Sequence, residues 1–262
     1  MVRKQDQIHG CLLGAAAGDA LGFCVEELTL DDIREKYGPN GIQGYDTING
    51  FATISSHTQL CMFTANGLLF GATRGAIRGV MAPYVKYLEA AYRDWCKTQH
   101  YGVPKGREKS FSWLSSVDAM RSRRCPEPAV LYALERPQAG TMEEPINHSR
   151  GPNGLARCVP IGLFFHPSET PLPEISLLGA ESAALTYGDP LGFLPAAYLT
   201  NLLSRILYGE PDSFRSILHK TRENMIRQFS NRFSQIRAIE TLLDWAEHTA
   251  EAPTSPAEAL SR

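Results

Sequence analysis

Apolar residues recur every three to four positions along most of the chain, and that spacing predicts helix after helix. Ile8 to about Cys24 is rich in Ala, Gly and Leu, the composition of a helix buried on nearly all sides. Thr29-Leu-Asp-Asp32 has the form of a capped helix start, with Gly38 before Pro39 as its stop. Residues 40–56 hold Gly41, Gly44 and Gly50 with little helical period and read as a loop. Helices are expected from His57 to about Thr73 and from about Ala82 to Thr98, the latter with Tyr84, Tyr87, Leu88, Ala91 and Trp95 at helical spacing. The stretch 99–155 is rich in Gly, Pro and Arg, with short helices near Phe111–Val117 and Glu127–Leu134. Four further helical stretches are expected at about 154–165, 173–186, 190–208 and 211–250, the last broken near Asn231. Strand-like alternation and internal repeats are both missing from the pattern. The expectation is an all-α single domain over 1–251. Residues 252–262, with Pro253, Thr254, Ser255 and Pro256, are expected to fray as a tail.

Charge narrows the function. The 26 basic and 28 acidic residues give a formal net charge of -2, which argues against a nucleic-acid partner, whose phosphates need a surplus of Lys and Arg. Arg121, Arg123 and Arg124 form the one dense basic run and read as a solvated face. The six cysteines include no C-x-x-C pair, so their spacing gives neither a zinc motif nor a disulfide framework. Cys11 to Ala17 is apolar and follows Arg3 and Lys4, but Asp19 interrupts the run before a signal-peptide cleavage site. No membrane anchor is visible. A reduced, cytoplasmic protein is expected.

Four segments carry a resemblance. The first is Gly10-Cys-Leu-Leu-Gly-Ala-Ala-Ala-Gly-Asp-Ala-Leu-Gly22, with Glu26 after it; small residues four apart let helices approach closely. The second is Ser55-Ser-His-Thr-Gln59, leading into an apolar helix. The third is Asn147-His-Ser-Arg-Gly-Pro-Asn-Gly-Leu-Ala-Arg157, with Pro160, Ile161 and Gly162 beyond it. The fourth is Leu185-Thr-Tyr-Gly-Asp-Pro190. In this order they are similar to the ADP-ribosylglycohydrolase family. The resemblance implies a compact orthogonal bundle of many helices, a magnesium pair, and a loop that wraps ADP-ribose. In the family the second segment reads Thr-Asp-Asp-Thr-Gln, and its Thr and two Asp bind the magnesium. Thr58 and Gln59 match; the three ligand positions here are Ser55, Ser56 and His57. Asn147, Ser149, Gly151, Gly154 and Arg157 fit the ADP-ribose loop, Ala156 replaces its Met, and Tyr187 stands where the family has His. The family's closing Gly-Asp-x-Asp-Thr segment, which supplies the remaining metal carboxylates, does not occur in this sequence, so a C-terminally shortened form of the fold is expected.

Magnesium wants oxygen ligands that include carboxylates, and two adjacent ions need several of them to offset their repulsion. Serine hydroxyls are neutral, and imidazole suits softer metals. No cofactor, no bound metal and no catalytic residue are therefore expected. Glu26, His57, Asn147, Ser149, Arg150, Arg157 and Tyr187 are the candidate ligand or partner contacts. Each also has a plain reading: His57 as a cap, Asp19 as a structural turn residue, Glu26 as a surface carboxylate, and 147–157 as an ordinary polar loop. The leading expectation is a catalytically degenerate relative that binds a protein, an immunity protein covering an ADP-ribosyltransferase toxin. Two alternatives stay open. One is an active hydrolase that reverses ADP-ribosylation; the other is a non-catalytic scaffold that binds ADP-ribose.

Overall fold

The predicted periodicity becomes helix along most of residues 2–100, 110–209 and 211–251, which the computed structural model describes. The tail expected at 252–262 lies outside the described residues. The helices are α1 (Val2–Phe23), α2 (Leu30–Tyr37), α3 (Ser56–Arg78), α4 (Tyr84–Thr98), α5 (Pro128–Glu135), α6 (Asn153–Arg157), α7 (Val159–Phe164), α8 (Leu172–Ala184), α9 (Pro190–Tyr208), α10 (Phe214–Phe229) and α11 (Ile236–Glu251). Two short 3-10 turns, Trp113–Ser116 and Asp118–Arg121, precede α5. The all-α class holds. No described helix is long and apolar enough to cross a membrane.

One departure sits in the loop expected at 40–56. There β1 (Thr47–Ile48) and β2 (Phe51–Ala52) pair antiparallel, Thr47 opposite Ala52 and Ile48 opposite Phe51. The turn between them has Asn49 at φ 54° and Gly50 at φ 81°. Two consecutive left-handed residues are what a two-residue hairpin turn requires, and Asn-Gly adopts them at least cost. That dipeptide was the local signal. Helical periodicity alone passes over it.

The core lies where α3, α4, α8 and α9 meet. Phe63, Leu68, Leu88, Tyr92, Trp95, Ile161, Ile175, Phe193 and Phe229 are all essentially inaccessible to solvent there. A hairpin of α8 and α9 crosses α7 at backbone distance. A methyl group on Gly179 would stand 2.8 Å from the Ala196 carbonyl oxygen, and one on Gly162 would stand 2.7 Å from that of Thr200. Real Cβ atoms do not approach so closely, so these two glycines set the spacing of three helices.

The first helix corrects an expectation. Among its described side chains only Ala20 is buried, and Leu13 is 70% exposed. Apart from their chain neighbours and their own helix backbone, Gly10, Gly14, Gly18 and Gly22 have no described heavy atom within 4 Å of where a Cβ would stand. The stripe of small residues permits close packing, but no described element arrives to use it. The basic run is a solvated face in part, with Arg123 exposed and Arg121 and Arg124 half-buried, but it also makes structural contacts. Arg121 Nη1 donates to the Ser115 carbonyl and Arg123 Nη1 to that of Gln99, so both guanidinium groups hold the strap that leads into α5.

Candidate functional site

The N-terminus of α3 is the centre of the site. Ser55 is its N-cap, extended at φ -90° and ψ -174°, and its Oγ accepts the His57 N–H at 3.0 Å. Asp19 reaches this point from α1. Its Oδ2 accepts the Ser55 N–H at 2.8 Å and the Thr58 hydroxyl at 2.6 Å, and its Oδ1 accepts the Ser55 hydroxyl at 2.6 Å. A carboxylate on unpaired N–H groups at the positive end of a helix is favoured twice, by hydrogen bonding and by the dipole. Asp19 is thus the clasp between α1 and α3. Ser56 is turned elsewhere: it is buried, its hydroxyl donates to the Cys125 carbonyl at 3.3 Å, and its N–H donates to that of Arg124 at 2.9 Å. Cys125 holds φ at 44°, a left-handed conformation that non-glycine residues seldom adopt, where the strap runs beneath α3.

Glu127 is the residue that sequence reasoning missed. It precedes Pro128 at the start of α5, extended as the position before a proline must be, and its side chain makes no cap bond to its own helix. The carboxylate instead crosses to other elements. Its Oε2 accepts the Tyr187 hydroxyl at 2.6 Å, and its Oε1 lies 3.5 Å from His57 Nε2, an ion-pair distance rather than a formed hydrogen bond. The other face of the imidazole meets Ser55: Nδ1 stands 3.1 Å from Ser55 Oγ and 3.9 Å from Asp19 Oδ1. The Ser55 hydroxyl spends its single proton on Asp19, so towards His57 it is an acceptor, and the network assigns a proton to Nδ1. The ring lies between two carboxylates.

The electrostatics agree with that placement. Glu127 raises the His57 pKa above its ordinary 6.5, Glu26 and Asp19 add to the effect, and burial opposes it. Burial pulls Glu127 upward, but His57 and Tyr187 outweigh it and hold the carboxyl below its ordinary 4.5. The pair therefore stabilises the fold between these two ordinary values. The His57 share is complete below 6.5 and is lost as pH rises through its raised folded value; the Glu127 share is complete above 4.5 and is lost as pH falls through its lowered one. Urea midpoints measured across pH should show a plateau that declines on both sides, and Glu127→Gln should flatten the decline on the alkaline side. An alkaline profile unchanged by that substitution would refute the pairing.

The remaining sequence candidates divide. Asn147 is a loop builder: its Nδ2 donates to the Thr186 carbonyl at 2.8 Å, and its Oδ1 accepts the N–H groups of Ser149 and Gly188 at 3.0 Å each. The Ser149 carbonyl takes the Asp189 N–H at 3.2 Å. A methyl group on Gly151 would stand 2.8 Å from the Tyr187 ring, which is how closely this loop lies on the His57–Glu127–Tyr187 cluster. Arg150 and Glu26 are exposed. Arg157 is wholly buried and presents nothing to a partner: its Nη2 donates to the carbonyl of Ser182 at 2.6 Å and the hydroxyl of Thr186 at 2.9 Å, and its guanidinium lies 4.5 Å from the Tyr92 ring centroid. Asn153, which the sequence did not single out, is buried with neither side-chain polar atom hydrogen-bonded, and His57 Nε2 and Glu127 Oε1 have only each other, at ion-pair distance. Buried polar groups seldom stay unpaired, so this corner accommodates water or a ligand's polar atoms.

Beside the cluster opens a cavity of about 400 Å3. Leu12, Leu13, Met62, Leu69, Trp113 and Val159 give it apolar walls, and Asp19, His57, Thr58 and Asn66 are its polar lining. Its rim is conspicuously apolar: Leu13, Leu69 at 56% and Trp113 at 64% are exposed.

The chain is thus an all-α protein with a cluster of hydroxyls and carboxylates at one helix N-terminus, packed under the loop 147–157. More particularly, the chain matches the ADP-ribosylglycohydrolase family over residues 1–262, and it belongs to that family. No curated protein and no solved structure matches it.

Proposed function

We propose that this member of the family acts by binding a protein rather than by hydrolysis, and that its partner is an ADP-ribosyltransferase toxin which it neutralises as an immunity protein. The observation that carries the reading is the apolar rim of the cavity beside His57. Exposed apolar surface grouped around a pocket marks an interaction site more often than it marks idle surface. Leu13, Leu69 and Trp113 offer large side chains of the kind that anchor a complex.

The donor set supports the same reading. A magnesium pair does not fit these residues. Both oxygens of Asp19 are already taken by three donors, Glu127 is held by Tyr187, and the His57 imidazole fills the space between the two carboxylates. Ser55 and Ser56 bring neutral hydroxyls that are engaged elsewhere. Blocking a toxin's active surface needs contact area and no metal.

The discriminating experiment is one of order. A target is ADP-ribosylated by such a transferase, the transferase is removed, and this protein is then added with magnesium present. The label is expected to remain, while protein added before the transferase is expected to prevent labelling through a stable one-to-one complex. Release of ADP-ribose from the finished target would establish hydrolysis and overturn the binding reading. Calorimetry with magnesium or manganese is expected to show no binding; two ions per chain would refute the fit argument directly.

A further inference from the structure

We propose that Cys96, His100 and Glu135 form a zinc-binding site, with three protein ligands and a fourth position open to water. It lies at the opposite end of α5 from the His57 cluster. Cys96 is in the last turn of α4 and His100 is just past its end, where Gln99 keeps a helical conformation and the His100 N–H still turns back to the Lys97 carbonyl, so the two side chains come out on one side. Glu135 closes α5. His100 Nε2 is 3.2 Å from Glu135 Oε1 and 3.9 Å from Cys96 Sγ, and the three donor atoms all lie within 4.8 Å of one another. Tetrahedral zinc with ordinary bond lengths places sulfur and nitrogen ligands about 3.6 Å apart and nitrogen and oxygen ligands about 3.3 Å apart. The two separations that involve His100 need only a few tenths of an ångström of adjustment, and the Cys96–Glu135 pair, within 4.8 Å, closes by rotation of the half-exposed Glu135 side chain.

Two further features favour a metal over a simple ion pair. The same nitrogen, Nε2, faces both the thiol and the carboxylate, although one nitrogen carries one proton or one lone pair. A cation at the common centre satisfies all three donors together. The scaffold is also rigid where the ligands leave it. Arg93 Nη1, on α4, donates to the carbonyls of Leu134 at 2.8 Å and Arg136 at 2.6 Å, so it pins the residues on both sides of Glu135. The mixed set of thiolate, imidazole and carboxylate suits zinc and not magnesium or calcium.

Access fits as well. His100 and Glu135 are about half exposed, at 46% and 51%, which gives an ion a path from solvent, while Cys96 sits beneath them. Burial pushes the Cys96 thiol up to about 11, with the Glu135 charge adding to the rise and Arg93 and Lys97 opposing it. Zinc must therefore displace the thiol proton, and affinity is expected to rise with pH. Bound metal ties the ends of α4 and α5 together. The six cysteines lack a paired-cysteine motif, which is why the spacing of thiols alone conceals this site.

The test is zinc titration of the full chain carrying Cys125→Ser, because Cys125 is an exposed thiol that can bind metal on its own. One zinc per chain is expected, with His100→Ala and Glu135→Gln each weakening it; His100→Ala should cost at least about 100-fold, more than loss of an outer partner does. Both residues are exposed, so these variants should keep their fold, and an unchanged helical spectrum checks it. Cobalt(II) substitution supplies a second readout: a thiolate-to-cobalt charge-transfer band with tetrahedral d–d bands is expected, and Cys96→Ser should abolish the former. No zinc bound at equimolar metal, or binding indifferent to His100→Ala, or a cobalt spectrum that survives Cys96→Ser, would each overturn the proposal. The assay is independent of toxin binding and of magnesium, so its failure leaves the functional reading standing.

Discussion

Asp19→Ala is expected to destabilise the protein by about 3 kcal/mol, because one carboxylate joins α1 to α3 through three charge-assisted hydrogen bonds. The aspartate side chain is only 13% exposed, so water does not simply replace it. Its removal strands the Ser55 N–H and the hydroxyls of Ser55 and Thr58 at a helix start. It also leaves His57 with Glu127 and Glu26 as its remaining acidic neighbours. For a chain of this size the loss corresponds to roughly 6–12 °C in Tm. Asp19→Asn keeps an acceptor oxygen and the volume but not the charge, and is expected to cost less than the alanine variant. Urea unfolding with an unchanged denaturant slope measures both. An alanine variant within about 0.5 kcal/mol of wild type, the range of ordinary surface substitutions, would show that the clasp contributes little.

Arg157→Ala is expected to cost about 4 kcal/mol, the scale seen when a buried charged group is taken out of its network. Arg157 has no exposed surface, and its acceptors are backbone carbonyls of Ser182 and Ala183 together with the Thr186 hydroxyl. Those carbonyls close α8; the one of Ala183 also accepts the N–H groups of Thr186 and Tyr187, so it is the Ser182 carbonyl, at 2.6 Å, that depends most on the guanidinium. The side chain also lies against Tyr92 and Tyr187, at 4.5 and 5.7 Å from their ring centroids, so truncation opens a cavity between aromatic rings. Arg157→Lys should not rescue it, since a single ammonium lacks the planar spread that meets these acceptors and the Tyr92 face together. Thermal or urea unfolding decides this, and recovery of more than half the loss by lysine would show that charge alone suffices.

Both residues occur in the segments that resemble the family, and both are legible in the sequence as members of a motif. Their tasks are not. Asp19 follows a run of small residues that suggests helix packing, yet its partners are a cap and a hydroxyl on α3. Arg157 falls in a loop expected to hold a ligand, yet it is buried and its Nη2 donates to the end of α8 and to Thr186 just beyond it. Glu127 carries no motif at all. The one local hint is Pro128, which forces Glu127 out of the helix and so frees its side chain to cross to Tyr187 and His57. Arg121 and Arg123 look like a solvated run because sequence spacing does not reveal which carbonyls lie beneath them.

What the sequence determines by itself is the local part: the helices from their three-to-four spacing, the start of α3 to within a residue at His57, the stop of α2 at Gly38, and membership of the family from four ordered segments. These rest on interactions within one turn of chain, which the order of residues encodes directly. Only the tertiary structure decides the rest. Among the described residues it leaves the glycine stripe of α1 without a neighbour, sets His57 between Asp19 and Glu127, and brings Cys96 and His100 beside Glu135. Each of those meetings joins segments far apart in the chain. They depend on how α3, α4, α8 and α9 pack into one core, and close packing fixes side-chain neighbours that no spacing along the chain prescribes.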